Sequence, residues 1–556
     1  MTKETRYAEA SMEAMYRIFT VPEAPGSTLG KIDQKLSQNI AGFLQEHIVA
    51  VEKDLEELQK DFSDSEIPEK PIFVSDQADF LMDKLVAQSV HTASPSFIGH
   101  MTSALPYFML PLSRIMIALN QNLVKIETSK AFTPMERQVL GMIHRLIYQQ
   151  SDEFYAKWMH EPGHSLGSFC SGGTIANITA LWVARNGRFD KDPKQGFTGI
   201  QRLGLYGALK HFGYNGAAIL VSERGHYSLG KAADVLGIGR DSLISIKADA
   251  NNKIDMRELK TRVEQLRREK IAIIAMVGVA GTSETGNVDP LDQMADLAAE
   301  IGCHFHVDAA WGGPTLFSGK YAHILKGIER ADSVTIDAHK QMYVPMGAGM
   351  VIFKRPSLVS SIEHHADYII RKGSRDLGAY TLEGSRPGIA MLLHSGLKII
   401  GRAGYEILIE QGIEKAKAFA DMIRQEPEFE LVTEPELNIL TYRYMPAFVR
   451  AKLSTATPVE VDQIHEVLNR LTKRIQKNQR ARGKSFVSRT TLTPEAWDRR
   501  RTVVFRVVLA NPLTSHDILR DVLAEQKHIA STNACEQCMQ ELHALCDDRP
   551  LRAHAV

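Results

Sequence analysis

The feature that most constrains the fold of this sequence is an alternation, from about Leu166 to Phe353, of short apolar runs with amphipathic segments of helical periodicity. The apolar runs, typical of buried strands, are Ala217–Ser222, Ile271–Val279, Cys303–Val307, Val334–Ile336 and Gly349–Phe353. Helical periodicity is found in Ile175–Arg185, Asp255–Arg268 and Leu291–Ile301. Continuous apolar strands that alternate with helices predict an α/β domain with a mostly parallel sheet covered on both faces.

The flanks of this α/β region have different patterns. We predict an N-terminal helical segment over 1–110, a large α/β domain over 111–395 and a small C-terminal α+β domain over 396–556. The small domain is expected to contain two long helices, Ala403–Ile423 and Glu460–Gln476, and a strand, Thr502–Leu509. A chain of 556 residues is long enough to form more than one domain.

The charge balance argues against nucleic acid and anionic lipid as partners, and the cysteines bear on the cellular compartment. The chain has 66 basic and 66 acidic residues, so no global field favours nucleic acid or anionic lipid. We find no apolar run that could span a bilayer and no signal-peptide core, and five cysteines in such a chain predict reduced thiols and a cytoplasmic location. The pair Cys535 and Cys538 could be half of a zinc site, although free thiols on a terminal helix are the simpler interpretation.

Several motifs fall at the ends of predicted strands, where α/β sheets bind ligands. In "CSGGT", Gly172, Gly173 and Thr174 open a helix whose free N–H groups could hold a phosphate, although these residue types are also ordinary helix caps. In "ERGHYS", His226 follows a strand, where an imidazole is either structural or stacked on a flat aromatic ligand. Each motif alone therefore leaves two interpretations open.

The motif "HFHVDAAWGG" places Asp308 at the end of a core strand. A buried carboxylate needs a partner, which could be a metal or the protonated ring nitrogen of a cofactor. His304 and His306 alternate with Asp308 on one face of the strand, as a metal site would require. The small Ala309 and Ala310 would leave room for a flat ring instead.

The motif "DAHK" places Lys340 directly after another core strand. A partly desolvated lysine there is either a nucleophilic amine or one half of an ion pair, for which Asp337 is the nearest candidate. A phosphate cradle, a ring-stacking histidine, an acid for a pyridine nitrogen and an amine for an aldehyde are together the attachment points of pyridoxal phosphate. The motifs thus favour this cofactor and no metal, and the other interpretation is a non-catalytic metal- or phosphate-binding protein.

In this order, "CSGGT", "RGH", "HVDAAWGG" and "DAHK" resemble the signature of the group II pyridoxal-phosphate decarboxylases. This family includes glutamate, aromatic amino acid and sulfinoalanine decarboxylases, and the resemblance runs from about Pro95 to Leu523. It implies pyridoxal-phosphate fold type I, the fold of aspartate aminotransferase, in the large domain. It also implies that the chain is an enzyme that removes a carboxylate from an amino acid.

The resemblance also implies roles for individual residues. Lys340 is expected to bind the cofactor aldehyde covalently, and Asp308 to pair with the ring nitrogen. His226 is expected to stack on one face of the ring, and Ala310 to contact the other. The residues expected around the phosphate, or supporting that region, are Gly172, Gly173, Thr174, Thr282 and His339.

Three further segments of the chain concern the substrate. "RTVVFRVVLANPLTSHDIL" resembles the C-terminal strand of glutamate decarboxylase and implies that Arg506 binds a substrate carboxylate, unless it is merely an exposed arginine on an edge strand. "PSFIGHMTSALP" resembles the segment that lines the family's substrate pocket, with His100 and Thr102 facing the substrate. The family carries a proton-donating tyrosine on a loop after the lysine, and Tyr368 or Tyr380 could fill that role.

The segments "RIFTVPEAPGSTLG" and "FIGHMTSALPYFMLPLS" resemble a narrower bacterial group, the pyridoxal-dependent aspartate 1-decarboxylases. These enzymes make β-alanine for pantothenate and coenzyme A, and family members are dimers with active sites at the interface. The resemblance therefore implies a cytoplasmic homodimer that converts L-aspartate to β-alanine and CO₂. The alternatives are an L-glutamate decarboxylase that forms γ-aminobutyrate and another pyridoxal-phosphate reaction on the same fold.

Overall fold

The computed structural model describes residues 26, 29–32, 34, 54–366, 370 and 373–547. Part of the N-terminal helical segment that the sequence predicts lies outside the described residues, namely 1–25, 27–28, 33 and 35–53, which include most of the motif at 17–30. Among the described residues, the α-helices before the first strand are α1 Leu55–Asp61, α2 Val74–Phe80, α3 Met109–Leu119, α4 Ile126–Ser129, α5 Phe132–Tyr148 and α6 Asp152–Trp158.

The large domain is built on a seven-stranded sheet. Its strands are β1 Gly167–Cys170, β2 Gly216–Ser222, β3 Leu243–Ile246, β4 Ile271–Val279, β5 His304–Asp308, β6 Ser333–Asp337 and β7 Gly349–Phe353. They lie in the order β1-β7-β6-β5-β4-β2-β3. The pairs among β2 to β6 are parallel, whereas β7 runs antiparallel to both β1 and β6. The predicted mostly parallel sheet is therefore confirmed.

Five helices accompany the strands of this sheet: α7 Gly173–Arg188, α8 Ile200–Phe212, α9 Ser228–Val235, α10 Met256–Arg268 and α11 Leu291–Ile301. Helix α10 illustrates why these segments are helical. Asp255 caps its start by accepting hydrogen bonds from the N–H groups of Arg257 and Glu258, at 2.8 and 3.3 Å. Its buried residues, Leu259, Val263 and Leu266, recur at helical spacing and pack into the core below the sheet.

The C-terminal part of the chain forms a second, four-stranded antiparallel sheet. Its strands, β8 Phe429–Thr433, β9 Ile439–Tyr444, β10 Ser488–Leu492 and β11 Thr502–Val508, lie in the order β10-β11-β9-β8. The helices of this part are α12 Ala390–Ile399, α13 Gly401–Gln425, α14 Ala447–Leu453, α15 Pro458–Arg482, α16 His516–Ala530 and α17 Asn533–Cys546. A separate hydrophobic cluster that includes Phe419, Leu468 and Phe505 forms its core.

The segment before α3 is tied to the small sheet. The N–H of Ile98 donates to the carbonyl of Phe486 at 3.0 Å, and the N–H of Val508 donates to the carbonyl of Ile98 at 2.7 Å. These bonds extend the sheet by one short stretch of extended chain. Because of them, His100 and Thr102 lie beside strand β11, which carries Arg506.

Two other predictions concern the membrane and the cysteines. Across the described ranges, no helix is both long and apolar enough to cross a membrane. Cys535 and Cys538 are buried in α17 and carry free thiols. In the same described part of the chain, no three His, Cys, Asp or Glu side chains are grouped as metal ligands.

Candidate active site

The carboxyl ends of the parallel strands meet at one edge of the large sheet. Val279, the last residue of β4, pairs with Asp308, the last residue of β5, and Asp308 pairs with Thr335 near the end of β6. A cavity of about 340 Å³ opens at this edge. Its lining includes the motif residues Gly172, Gly173, Thr174, His226, Asp308, Ala310, His339 and Lys340.

Lys340 lies in a tight turn that begins at the end of β6. Its backbone N–H donates to the carbonyl of Asp337 at 3.2 Å, and its Nζ lies 2.9 Å from Asp337 Oδ2. The ion pair that the sequence offered as an alternative is thus present, with the lysine side chain 17% exposed. The other carboxylate oxygen, Asp337 Oδ1, is buried and has no hydrogen-bond partner among the described residues. The amine is therefore held at the cavity wall by a group that retains accepting capacity.

Asp308 is buried, 5% exposed, and both its carboxylate oxygens accept hydrogen bonds. Asn177 Nδ2 donates to Oδ2 at 2.9 Å, and the N–H of Ala310 donates to Oδ1 at 3.2 Å. The two histidines of the same strand have other partners: His306 bonds Asn177 and Ser333, and His304 bonds Ser333. These contacts orient the carboxylate toward the cavity and do not gather the histidines around an ion.

His226 lines the cavity directly after the turn that follows β2. Its Nδ1 lies 2.8 Å from Ser228 Oγ and accepts the Ser228 backbone N–H at 3.3 Å, which identifies Nδ1 as an acceptor. Burial lowers the pKa of His226, and the charge of Asp308 opposes this shift. The ring is therefore neutral near pH 7 and fixed in orientation, as a stacking group needs to be.

The start of α7 and the turn at Lys340 form the other end of the cavity. A Cβ at Gly173 would lie 2.7 Å from Asp337 Oδ2, and one at Gly349 would lie 2.6 Å from Gly172 Cα, so this close approach requires glycine. His339 Nδ1 donates to the carbonyl of Ala348 at 3.0 Å, which positions its ring at the same end. The first N–H groups of a helix have no acceptor within it, so this cradle suits a phosphate.

Three predicted residues are placed elsewhere or not described. Thr282 is fully buried and its hydroxyl bonds Thr285 at 2.8 Å within the turn after β4. It therefore stabilises a loop whose neighbours, Gly281 and Ser283, line the cavity. Tyr380 does not line the cavity, because its buried hydroxyl donates to Glu363 at 3.0 Å. Tyr368 lies outside the described residues.

Arg506 on β11 is largely buried, and its contacts are weak. Its Nη1 donates to the carbonyl of Gly99 at 3.3 Å and to Ser488 Oγ at 3.4 Å. Its Nε has no partner among the described residues, and burial lowers the Arg506 pKa to about 10. Among the ion pairs of the described chain, Arg506 has none with a carboxylate within 4 Å. It is thus a desolvated cation with spare hydrogen-bonding capacity.

His100 and Thr102 accompany this arginine. Partial burial and the charges of Arg506 and Lys340 together lower the pKa of His100, so both cations lie within electrostatic range of its ring. The Thr102 hydroxyl oxygen is buried and has no hydrogen-bond partner in the described part of the chain. The sequence therefore pointed to Arg506 and Thr102, each of which has a polar atom without a hydrogen-bond partner among the described residues.

Sequence reasoning missed two features of the site. Asn177, one turn into α7, is fully buried and bonds Asp308, and the only signal was a polar residue in the apolar stretch "TIANITAL". Arg224 also lines the cavity and pairs with Glu284 Oε2 at 3.0 Å, while Glu284 Oε1 accepts from Thr490 of the small sheet at 3.1 Å. This second contact spans the two sheets, and local sequence patterns do not reveal such pairs.

The observed donor set fits a flat aromatic aldehyde that carries a phosphate. An amine, a buried carboxylate, a neutral imidazole and a glycine cradle surround one cavity, each at the end of a strand or the start of a helix. This arrangement defines an enzyme that depends on pyridoxal 5'-phosphate.

Comparisons with known proteins agree with this class. A model of the pyridoxal-dependent decarboxylase conserved domain matches residues 52–445. An aspartate 1-decarboxylase of Aliivibrio fischeri (strain ATCC 700601 / ES114) is 64% identical over 533 residues, which cover 96% of this chain and 97% of that protein. The chain therefore belongs to the family of pyridoxal-dependent decarboxylases, and it is a carboxy-lyase.

Solved structures support the fold. The crystal structure of mouse CSAD in apo form has a TM-score of 0.75 and 25% sequence identity, and covers 90% of this chain and 99% of that chain. The structure of Oryza sativa TDC with PLP and tryptamine has a TM-score of 0.75 and 18% identity, and covers 96% of this chain and all of that one. The predicted architecture, a mostly parallel large sheet with a smaller C-terminal domain, is thereby confirmed.

Proposed function

We propose that this enzyme removes the α-carboxylate of L-aspartate and releases β-alanine and CO₂. The observation that carries the choice of substrate is the 64% identity, over 96% of the chain, to an aspartate 1-decarboxylase. The geometry independently favours an acidic substrate, because Arg506, whose charge acts with that of Lys340 on His100, is a largely buried cation whose Nε has no partner among the described residues.

The residues around the cavity would hold the cofactor as follows. Lys340 would bind the aldehyde carbon, Asp308 would hold the proton on the ring nitrogen, and His226 and Ala310 would enclose the ring. The cradle of Gly172, Gly173, Thr174 and His339 would contact the phosphate. When bound, pyridoxal phosphate supplies an electron-accepting ring that takes up the electron pair left on the α-carbon as CO₂ departs.

The other residues orient the substrate. We assign Arg506 to the side-chain carboxylate, where a charge-assisted bidentate contact would offset the burial of both groups. We assign His100 and Thr102 to further hydrogen bonds with the same carboxylate. If the side-chain carboxylate and the amino group are both held, the substrate can rotate only about the bond between its nitrogen and its α-carbon. That rotation decides which bond of the α-carbon stands perpendicular to the ring and therefore breaks. Of the two tyrosines, Tyr368 is the one that we still propose as proton donor to the α-carbon.

L-Glutamate is the competing substrate, because it differs from aspartate by one methylene group. A pocket separates such a pair by only ~1–3 kcal/mol, or roughly 10- to 200-fold in kcat/KM. The holoenzyme should therefore be incubated with equimolar L-aspartate and L-glutamate, and the amines quantified by chromatography. We expect β-alanine to exceed γ-aminobutyrate by at least about tenfold. If γ-aminobutyrate dominates, the substrate is L-glutamate and our choice of L-aspartate is wrong, but the proposed cofactor site is not contradicted.

We also propose that the enzyme is a cytoplasmic homodimer that supplies β-alanine for pantothenate synthesis. Cys170, Cys303, Cys535 and Cys538 carry free thiols, as expected in a reducing compartment. Large apolar side chains before and within α3 are exposed, namely Leu105, Tyr107, Ile115, Ile117 and Leu119. We propose that residues 1–110 form a dimerisation segment next to the large domain of 111–395 and the small domain of 396–556. Tyr107→Asp, at an exposed position within residues 1–110, should shift the sedimentation of the holoenzyme toward the monomer.

A further inference from the structure

The hydrogen bonds behind Asp308 form one continuous chain of buried groups. It runs from His304 through Ser333, His306, Asn177 and Ser228 to His226, and Asp308 branches from Asn177. The contacts are His304 Nε2 to Ser333 Oγ at 2.7 Å, Ser333 Oγ to His306 Nδ1 at 2.9 Å, His306 Nε2 to Asn177 Oδ1 at 3.1 Å, Asn177 Nδ2 to Ser228 Oγ at 3.0 Å and Ser228 Oγ to His226 Nδ1 at 2.8 Å.

The orientation of the Asn177 amide follows from one constraint. The carboxylate of Asp308 can only accept, so the Asn177 atom at 2.9 Å must be the amide nitrogen and the atom facing His306 must be the amide oxygen. His306 must then donate from Nε2. Burial lowers the pKa of His306 to about 4, so the ring is neutral, and with its one proton on Nε2 its Nδ1 is an acceptor. This Nδ1 lies 2.9 Å from Ser333 Oγ, from which it can accept the hydroxyl proton, and 3.2 Å from the Ser333 carbonyl.

The same constraint reaches the cavity on the other side of Asn177. The amide has two protons, and with one on Asp308 the second is donated to Ser228 Oγ. The Ser228 hydroxyl proton is then free for His226 Nδ1, which also accepts the Ser228 backbone N–H. The His226 ring therefore carries its proton on Nε2. One amide thus fixes both the Asp308 carboxylate, which would pair with the ring nitrogen, and the tautomer of His226, which would stack on the ring.

We propose that Asn177 is the positioning residue of this site: its amide, oriented by His306, sets the rotamer of Asp308 and the tautomer of His226 together. This inference rests on the proposed roles of Asp308 and His226 and is independent of the substrate. Asn177 lines the cavity beside Asp308, but the hydrogen bonds of its amide all go to Asp308, Ser228 and His306. Its effect should therefore appear in how the cofactor is held and titrates, before any substrate is added.

The test uses the holoenzyme and measures the pH midpoint of the cofactor absorbance and the cofactor dissociation constant. In Asn177→Ala we expect the midpoint to move by at least about half a pH unit and the dissociation constant to rise at least about tenfold. Asn186→Ala is the matched control, because Asn186 is equally buried on the same helix but bonds the carbonyl of Ser361 at 2.7 Å. It should lower thermal stability without moving the midpoint.

Two substitutions of His306 separate positioning from packing. Glutamine keeps a side-chain N–H for Asn177 Oδ1, so His306→Gln should retain the wild-type midpoint. Leucine removes that donor and frees the amide to rotate, so His306→Leu should shift the midpoint as Asn177→Ala does. An unchanged midpoint and dissociation constant in Asn177→Ala, or an equal shift in Asn186→Ala, would overturn the inference.

A further variant distinguishes this inference from the proposal on which it rests. Asp308→Asn should shift the absorbance midpoint strongly if Asp308 meets the ring nitrogen. A shift in Asp308→Asn without one in Asn177→Ala would refute the role of Asn177 alone. No shift in either variant would refute the proposed role of Asp308 itself. If Asn177→Ala does not fold, Asn177→Ser, which retains one donor proton, should give a smaller shift in the same direction.

Discussion

The edge of the large sheet lines the cavity, whereas Arg506 of the small sheet does not line it and is connected to it through His100, whose pKa both Arg506 and Lys340 lower; the two sheets differ in how their charges are satisfied. At the large sheet, Asp308 accepts two hydrogen bonds and Lys340 is paired with Asp337. At the small sheet, Arg506 reaches a backbone carbonyl and a hydroxyl at 3.3 and 3.4 Å, and its Nε has no partner among the described residues. The half that would hold the cofactor is thus organised by the protein, whereas the half assigned to the substrate retains capacity for an anion.

The largest expected effect on activity comes from Lys340→Ala, which removes the amine from the part of the site that would hold the cofactor. Without a covalent anchor, kcat/KM should fall by about a thousandfold or more. The assay is β-alanine formation at saturating cofactor. Lys354→Ala is the control, because Lys354 follows the antiparallel strand β7 at the opposite edge of the sheet, and it should retain activity. Substantial turnover in Lys340→Ala would contradict the account of this half.

The next largest effect concerns Arg506. Loss of a charge-assisted bidentate contact should cost about 2–4 kcal/mol of transition-state binding, so Arg506→Met should lower kcat/KM roughly 30- to 900-fold. Thermal stability should not fall, because methionine replaces a buried cation without a carboxylate partner. Arg489→Ala, on the exposed face of the neighbouring strand, should leave both quantities unchanged. A near-normal kcat/KM in Arg506→Met would contradict the assignment of Arg506 to the substrate carboxylate.

A smaller effect is expected at Thr102, whose hydroxyl oxygen is buried without a partner in the described chain. Thr102→Val keeps the shape and removes an unsatisfied polar group, so thermal stability should hold or rise. If the hydroxyl binds the substrate, KM should rise about 3- to 10-fold. Thr133→Val is the contrast, because the Thr133 hydroxyl bonds Ser129 at 2.6 Å, and its loss should lower stability. The reverse pattern would show that Thr102 is structural.

The smallest expected effect is a pH dependence of stability from the organised half. Burial lowers the pKa of both His304 and His306 to about 4, from an unfolded value near 6.5. The unfolded chain therefore binds more protons between these values, and stability is complete above pH 6.5 and falls as the pH drops toward 4. His306→Gln should reduce the slope of Tm against pH in this window, whereas His516→Gln, at an exposed position, should not. An unchanged slope in His306→Gln would contradict the buried neutral ring.

The sequence predicted some elements of the fold accurately and missed others. The strands Ile271–Val279 and Gly349–Phe353 and the helix Leu291–Ile301 were located to the residue, because long apolar runs and clear periodicity define them. Strands β1 and β3 were missed, since four-residue strands carry too little pattern. The cavity-lining motifs were found because each follows its strand directly in the chain.

Contacts between distant segments were not predictable from local pattern. Asn177 and Asp308 are 131 residues apart, and nothing in either neighbourhood signals their bond. Tyr380 was a candidate because of its position after the lysine, but its hydroxyl donates to Glu363 away from the cavity. The bond between Asn177 and Asp308 and the position of the Tyr380 hydroxyl both depend on tertiary packing, which the spacing of residue types along the chain does not reveal.

The most direct test of the central claim is to reduce the holoenzyme with borohydride, digest it and identify the labelled peptide by mass spectrometry. We expect one reduced pyridoxyl phosphate group per chain, on Lys340 in the peptide that contains "DAHK", and none in Lys340→Ala. A label on another lysine, or a wild-type protein that binds the cofactor without any covalent label, would contradict the account.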